Sequence, residues 1–234
     1  MGTEKRFIAG EKLDVFQWDV RNWSRALPLW RRHLIHPPGS LALAIGERDG
    51  GLSLMLAEAG YRTSCTDVHP PSDRAHELHR AHGVDALVEY EVQDATALTY
   101  DADRFDVVIF KSVIGALGSK DRQRQALLEM LRVLKPGGVL LFAENLSATM
   151  FHRWLRTRFV AWNSYWRYLS FPEDLDLFKG YERLEIKTCG FVANLGRTER
   201  QRDILASADA FLAPIVPSTW RYIAYGAAFK PARD

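Results

Sequence analysis

The stretch from residue 41 to residue 70, LALAIGERDGGLSLMLAEAGYRTSCTDVHP, constrains the fold of this chain more than any other part. Its apolar start predicts a buried strand, and GERDGG predicts a tight turn. The leucine-rich run that follows predicts a helix, and YRTSCT predicts a second strand that closes at Asp67. A strand that feeds a helix through a glycine turn opens a parallel βαβ unit, so a layered α/β fold is expected.

The alternation of strand and helix patterns continues to about residue 145 and predicts a doubly wound sheet with helices on both faces. Residues 105–110, FDVVIF, form the most hydrophobic strand pattern, which indicates a central position in the sheet. The predicted strands are residues 41–45, 61–66, 86–92, 105–110, 139–143, 181–192 and 220–229. The predicted helices after the first are residues 71–82, 121–134, 172–178 and 198–213, and KPGG at 135–138 is predicted to end the second of these sharply.

Composition excludes several classes of protein. The 234 residues are 47% hydrophobic and 26% charged, and the net charge of +2 is not that of a polyanion-binding protein. Cys65 and Cys189 lie in apolar strand-like runs, where buried thiols are expected rather than a disulfide or metal ligands. No apolar leader or bilayer-spanning run is found, so a cytoplasmic location is expected.

Small residues and acids occupy the points where the first strands end. Gly46 and Gly50 let the backbone approach a bound group closely, and the helix after them points its N-terminal N–H groups into the same space. Asp67 closes the adjacent strand, where a carboxylate can accept hydrogen bonds from ribose hydroxyls. Asp94 follows the third strand. Because parallel strands end at one edge of a sheet, these residues predict a site for a nucleoside-type cofactor.

In these motifs the chain resembles the class I S-adenosylmethionine-dependent methyltransferases from about residue 41 to residue 145. The resemblance is carried by AIGERDGG, TDVHP, VQDAT, FDVVIFKSVIGALG and LRVLKPGGVLLFAENL. It implies one methyltransferase domain over residues 1–234, built on a seven-stranded sheet of order 3-2-1-4-5-7-6 whose last strand is antiparallel. It also implies S-adenosylmethionine as cofactor, with S-adenosylhomocysteine as its product.

The family pattern assigns roles along the cofactor. Gly46 and Gly50 are expected at its methionine part, Lys111 near the methyl group, Asp67 with Val68 at the ribose, and Asp94 with Ala95 at the adenine.

The glycine turn departs from the family pattern at two positions. Ala44 stands where the family usually has an acid, and Arg48 replaces its middle glycine. Glu47 is expected to substitute in part for the missing acid. These departures keep a second hypothesis open, in which the chain is a catalytically silent binding module with a cofactor fold.

Three residues at or after strand ends are candidates for catalysis: Lys111, Glu144 and His152. An alcohol acceptor needs a base to take its proton, and histidine or a carboxylate is the usual choice. Each also has an ordinary alternative, namely an end-of-strand charge for Lys111, a cap or supporting residue for Glu144, and a surface position for His152. No group of residues has metal-ligand spacing, so no metal is expected.

Segments outside the shared core are expected to select the acceptor. Residues 1–38 predict an N-terminal helical cap, with Pro28 as a break, and residues 146–178 and 193–219 predict insertions on the substrate side. Within residues 151–169, seven apolar residues are predicted to fall near one helical face and arginines near another: Phe151, Trp154, Leu155, Phe159, Trp162, Trp166 and Leu169, against Arg153, Arg156 and Arg167.

This segment has three interpretations: a lid with a solvated basic face, a pocket for a sugar or anionic group, or peripheral membrane contact through residues 151–169. RNA binding by such a helix is disfavoured by the balanced charge.

The predicted function is methyl transfer to a small-molecule or glycan acceptor, at oxygen. FQWDVRNWSRAL and ENLSATMFHRWLRTRF resemble segments of bacterial enzymes of polysaccharide or secondary metabolism. The alternatives are an RNA acceptor, a lipid-linked acceptor, or the silent binding module. The oligomeric state is left open.

Overall fold

A computed structural model describes residues 9–233 of the chain, apart from the side chains of residues 9–11 and 161–162. Its sheet contains the strands β1 Leu41–Ile45, β2 Arg62–Asp67, β3 Val88–Val92, β4 Phe105–Lys111, β5 Leu134–Asn145, β6 Arg183–Cys189 and β7 Ile223–Phe229. The spatial order is β3-β2-β1-β4-β5-β7-β6, and β7 runs antiparallel to both of its neighbours. The predicted fold class, strand order and antiparallel last strand are confirmed.

Helices cover both faces of this sheet. They are α1 Ala9–Phe16, α2 Val20–Trp23, α3 Leu27–His33, α4 Gly51–Glu58, α5 Asp73–Ala81, α6 Lys120–Val133, α7 Met150–Phe159 and α8 Glu199–Leu212. Each face of the sheet has its own apolar core, and alternate residues of β1 belong to one or the other. Ala42 and Ala44 pack on the side of α1–α4, while Leu43 and Ile45 pack on the side of α6. Coverage of both faces explains why the central strands are apolar at consecutive positions.

The N-terminal helices are part of one core. Phe16, Trp23 and Trp30 are completely buried there, and burial of such a side chain stabilises a fold by roughly 1.5–3 kcal/mol. Pro28 stands in the first turn of α3, where the missing N–H is not needed. Of the predicted cap over residues 1–38, the first eight lie outside the described residues.

The start of β5 differs from the prediction. The KPGG segment lies inside the strand rather than before it, because β5 begins at Leu134 directly after α6. The pairing with β4 jumps from Phe105↔Leu134 to Val107↔Val139, so the segment forms an irregularity in the ladder. Gly137 has a φ of +75° there, and its N–H donates to the carbonyl of Lys230 at 3.1 Å. The glycines therefore permit a bulge rather than a helix stop.

Helix α7 is shorter than predicted, and its buried side chains include a histidine and an arginine. It ends at Phe159, so Trp166 and Leu169 do not extend its face, and the side chain of Trp162 lies outside the described side chains. Phe151 and Trp154 are more than half exposed, whereas His152 and Arg156 are buried. The predicted grouping of Arg153 with Arg156 on one face is wrong, because Arg153 is exposed while backbone carbonyls beneath the helix accept hydrogen bonds from Arg156.

The reversal of strand order falls between β1 and β4, which both pair in parallel with strands on their outer sides. Crevices for ligands form at such switch points, outside the carboxyl ends of the strands. Among the described helices, none has the length and apolarity that crossing a membrane requires.

Candidate functional site

The glycine turn lies at the carboxyl end of β1 with the backbone geometry that the sequence predicts. Gly46 and Gly50 have φ angles of +71° and +79°, a region that favours glycine. A Cβ on Gly46 would lie 2.3 Å from Cγ2 of Val113, which shows how closely the segment after β4 approaches the turn. The exposed Arg48 side chain is compatible with the turn, so its replacement of the family glycine does not block the loop.

Glu47 closes the N-terminus of α4 from inside the protein. Its Oε2 accepts hydrogen bonds from the backbone N–H groups of Leu52 at 2.7 Å and Ser53 at 3.0 Å. Burial raises the pKa of the Glu47 carboxyl to about 7. In dinucleotide-binding folds these N–H groups receive the pyrophosphate, so Glu47 occupies the contacts that a dinucleotide needs. The turn fits a cofactor without phosphates.

Two acids predicted for the cofactor lie at one edge of the sheet. Asp67 is half-buried at the end of β2 and accepts a hydrogen bond from the N–H of His69 at 3.1 Å. Asp94 is exposed after β3, and its Oδ1 accepts from both N–H and Oγ1 of Thr96, which holds the pKa of Asp94 below its usual range. The N–H of Gln93 donates to the Asp67 carbonyl at 2.9 Å and ties the two strand ends together.

The residues after these acids differ in burial. Val68 is 59% exposed and Ala95 is 8% exposed. Their contact with a ribose and an adenine stays a prediction, as does the role of Asp67 and Asp94.

Lys111 is a half-buried cation beside the turn. It ends β4, one position beyond the Ile45↔Phe110 pair. Its Nζ lies 5.2 Å from the ring centroid of Trp23 and 6.0 Å from that of Trp18. Burial lowers the pKa of Lys111, and the carboxylates of Glu47 and Glu144 oppose that shift. The ammonium thus stands at the switch point between β1 and β4.

Glu144 is completely buried and acts on the backbone. Its Oε2 accepts from the N–H groups of Val113 at 2.9 Å and Gly115 at 3.3 Å, and its Oε1 accepts from its neighbour Asn145 at 2.8 Å. Burial raises the pKa of the Glu144 carboxyl to about 7. These contacts fasten the segment after β4 to the end of β5, and they correspond to the supporting role rather than to a base that reaches an acceptor.

His152 is buried in α7 with both ring nitrogens engaged. Nε2 lies 2.7 Å from the carbonyl oxygen of Phe191, and Nδ1 lies 2.6 Å from Oγ1 of Thr149. A carbonyl only accepts, so we assign the proton to Nε2, and the Thr149 hydroxyl then donates to Nδ1. Burial lowers the pKa of His152, in agreement with a neutral ring. In this arrangement no lone pair is free to take a proton from an acceptor.

A cavity of about 930 Å³ opens at the carboxyl ends of β4 and β5. Ser112 and Asn145 lie at its base, where Nδ2 of Asn145 donates to Oγ of Ser112 at 2.7 Å. The apolar and aromatic wall consists of Trp18, Leu155, Phe159, Val160, Trp166, Tyr168, Leu195 and Tyr222. The remaining lining residues are His152, Arg156, Asn194, Gly196, Arg197 and Arg202. Of the three predicted catalytic residues, only His152 is among those that line it.

A buried polar network behind the cavity was not predicted. The hydroxyl of Tyr222 donates to Oδ2 of Asp19 at 2.5 Å, and Nδ2 of Asn22 donates to the same hydroxyl at 2.8 Å. Glu199 accepts hydrogen bonds from the N–H groups of Asp19 and Val20 at 2.9 and 2.8 Å. Burial raises the pKa of Asp19 to about 7. The network joins α2, α8 and β7, which are far apart in sequence, so periodicity held no signal for it.

Comparison with known proteins identifies the central part of the chain. Residues 43–142 match the family model described as "Methyltransferase domain". The ubiquinone/menaquinone biosynthesis C-methyltransferase UbiE of Hydrogenovibrio crunogenus is 32% identical over 124 residues, which are 50% of this chain and 48% of that protein. The 2-methyl-6-phytyl-1,4-hydroquinone methyltransferase of Synechocystis is 36% identical over 110 residues, or 46% of this chain and 33% of that protein. The matches thus span about half or less of these relatives.

Solved structures share the fold at low sequence identity. Phosphoethanolamine N-methyltransferase 2 of Haemonchus contortus, in complex with S-adenosyl-L-methionine, has a TM-score of 0.64 at 19% identity, over 89% of this chain and 53% of that one. A putative methyltransferase from Bacillus halodurans has a TM-score of 0.63 at 19% identity, over 89% of this chain and 100% of that one. Together with the sheet order and the glycine turn, these comparisons lead to one conclusion: residues 43–142 form a methyltransferase domain, and the chain shares the fold of the solved S-adenosylmethionine-dependent methyltransferases.

Proposed function

We propose that this protein transfers a methyl group from S-adenosylmethionine to a small, ring-bearing acceptor that binds in the cavity above β4 and β5. One observation carries the proposal. At the base of the cavity lie Ser112, which follows β4, and Asn145, which ends β5. Because β4 pairs with β1, the strand that leads into the glycine turn, an acceptor in the cavity lies near the place where the family holds its cofactor. Its aromatic wall suits a planar ring.

The chain's own residues would hold and orient the cofactor. Asp67 would accept hydrogen bonds from the ribose hydroxyls, Asp94 would border the adenine, and the backbone at Gly46 would approach the methionine part. When bound, S-adenosylmethionine supplies an electrophilic methyl group on a positively charged sulfonium. Trp18 and Trp23 present ring faces near this point, and such faces favour a cation while they exclude water.

The choice of acceptor depends on whether the cavity lining offers a base that can take a proton. Among the described lining residues there is no carboxylate, and both nitrogens of His152 are engaged. A simple alcohol needs a base to take its proton, whereas a phenol or an enol loses its proton readily. We therefore favour an acidic ring hydroxyl over the hydroxyl of a glycan.

Transfer to oxygen, within polysaccharide or secondary metabolism, is the prediction from the sequence. A ring carbon is the second candidate, because the relatives at 32% and 36% identity include a quinone-pathway C-methyltransferase and a hydroquinone methyltransferase. Methylation of a hydroquinone ring carbon also requires that a ring hydroxyl be ionised, because the ionised oxygen makes the carbon nucleophilic.

The proposal also includes contact with a membrane surface. On α7, Met150, Phe151, Trp154 and Phe159 are between 56% and 84% exposed, and the helix carries three arginines and no acid. Aromatic side chains flanked by arginines suit the headgroup region of an anionic bilayer. Phe159 also belongs to the cavity wall, so an amphiphilic acceptor would enter the cavity from that surface.

Incubation with cofactor that carries a trideuterated methyl group tests the proposed reaction. Catechol, 4-hydroxybenzoate, a 1,4-hydroquinone and a free monosaccharide serve as acceptors, and mass spectrometry detects the label while NMR locates it. Label on a ring oxygen or a ring carbon of a phenolic acceptor supports the proposal. Label on the monosaccharide alone would contradict the preference for a ring.

A further inference from the structure

A buried arginine lies in the cavity wall without an acid beside it. Arg156 is only 8% exposed, and its guanidinium lies 3.9 Å from the ring centroid of Tyr168. Its Nη1 donates to the carbonyl oxygens of Leu146 at 2.8 Å and Ser147 at 3.2 Å. These contacts fix the guanidinium at the end of β5, next to the base of the cavity.

The rest of the guanidinium has no hydrogen-bond acceptor within the part of the chain that the structure describes. Among the described residues, no carboxylate lies within ion-pair distance of Arg156, and no hydrogen bond is formed by its Nε or Nη2. Burial lowers the pKa of Arg156, with only the tyrosines Tyr168 and Tyr222 opposing the shift. A buried charge without a counter-ion is costly, so a fold that keeps one leaves it available for an anion.

The surroundings have the same sign of charge. The described lining residues include Arg156, Arg197 and Arg202 and no aspartate or glutamate. Arg202 is partly neutralised by Glu199 at 3.4 Å, while Arg197 is exposed.

Two carboxylates near the cavity wall, those of Asp19 and Asp209, already accept hydrogen bonds from other groups. Asp19 accepts from Tyr222 and Asn22, and Asp209 accepts from the N–H groups of Val192 and Ala193.

Two further polar atoms of lining residues have no hydrogen-bond partner among the residues that the structure describes. Nε1 of Trp166, a donor, and Oδ1 of Asn194, an acceptor, are buried and form no hydrogen bond. Polar groups of this kind are rare inside proteins, and a polar ligand or an ordered water is the usual partner.

We propose that Arg156 forms an oxyanion subsite that binds a carboxylate or phosphate group of the acceptor, with Tyr168 beside the group to which that oxyanion is attached. The subsite rests on the proposed function, since it assumes that the acceptor occupies this cavity. A planar guanidinium with free Nε and Nη2 donors matches the two oxygens of either group. The acceptor class is thereby narrowed to anionic ring compounds.

The test measures binding of three probes to the protein saturated with S-adenosylhomocysteine: phenyl phosphate, benzoate and the neutral benzyl alcohol. Tryptophan fluorescence reports binding, because Trp18 and Trp166 line the cavity. At least one anion is expected to bind roughly ten- to a hundredfold more tightly than benzyl alcohol, and the better anion distinguishes phosphate from carboxylate. Equal affinity for all three probes would overturn the proposal without any variant.

Two variants localise the effect. Arg156→Gln is expected to remove the preference for anions, and Arg156→Lys to keep part of it, since the charge remains but the fork is lost. Arg153→Gln on the exposed side of the same helix is the matched control and should retain the preference. Retention of the full preference in Arg156→Gln would also overturn the subsite. Affinity for S-adenosylhomocysteine is measured in parallel, and its absence in the unaltered protein would count against the proposed function instead.

Discussion

Asp67 is the residue on which cofactor recognition depends most in this account. It ends β2 with a half-buried carboxylate that makes one hydrogen bond within the described chain, to the N–H of His69. Asp67→Ala should weaken affinity for S-adenosylhomocysteine roughly ten- to a hundredfold, because hydrogen bonds to a charged group contribute about 1.5–3 kcal/mol each. Isothermal titration calorimetry measures the change. Asp73→Ala, on the exposed start of α5, is the control, and equal affinities in the two variants would show that the ribose is misplaced.

Glu144 predicts a dependence of stability on pH. Burial raises its folded-state pKa from 4.5 to about 7, so its contribution is fully present below pH 4.5 and is lost as pH rises through 7. Glu144→Gln has no such loss. The melting temperature of the variant, relative to the unaltered protein, should therefore rise between pH 5 and pH 8. A difference that stays constant over this window would mean that the carboxyl titrates normally in the fold.

At the scale of elements, α7 shows what a periodic pattern leaves out. The sequence pattern places Arg153 and Arg156 near one face, whereas the structure exposes Arg153 with the aromatic side chains and buries Arg156. Arg156 and His152 turn inward because the carbonyls of Leu146, Ser147 and Phe191 accept their hydrogen bonds. Those acceptors come from other segments of the chain, so helical spacing alone holds no information about them. The glycine turn, in contrast, is local, and its positive φ angles could be predicted from its residues.

The outward face of α7 should bind anionic membranes. Co-sedimentation with vesicles of phosphatidylglycerol is expected to be reduced about tenfold or more in Phe151→Ser/Trp154→Ser, since two aromatic side chains leave the interface. Leu128→Ser on α6, a similarly exposed apolar position, is the control. Binding that is undiminished in the double variant, or that is equally weak for all three proteins, would remove membrane contact from the proposed function.

The hydrogen bonds between Glu199 of α8 and the start of α2 should stabilise the fold. Glu199 accepts two hydrogen bonds from the N–H groups of Asp19 and Val20. Glu199→Ala should lower the free energy of unfolding by about 1–3 kcal/mol, or the melting temperature by roughly 2–10 °C. Asp203 lies on the same helix as Glu199 and forms an exposed ion pair with Arg21 of α2, so Asp203→Ala should change the free energy of unfolding by less than about 1 kcal/mol. Similar losses in both variants would show that the capping contacts are no stronger than surface pairs.

For the whole molecule, the core and the acceptor side differ in how far they could be predicted. Strand and helix alternation, with the family resemblance, was sufficient for the sheet order and for the edge at which Asp67 and Asp94 lie. The acceptor side is assembled from the N-terminal helices and two later segments, and Asp19 and Tyr222 meet although 203 positions separate them. Side chains such as Trp18, Asn194 and Arg202 join the cavity through these long-range contacts, which no local pattern encodes.

The central claim is that the glycine turn holds a sulfonium cofactor of the methyltransferase family rather than a dinucleotide. Calorimetric titration of the unaltered protein with S-adenosylhomocysteine and, separately, with NAD tests it most directly. Saturable one-to-one binding of S-adenosylhomocysteine well below millimolar concentration is expected, with no binding of NAD, because Glu47 occupies the helix N-terminus that a pyrophosphate needs. Absence of S-adenosylhomocysteine binding at millimolar concentration, or tighter binding of NAD, would contradict the account.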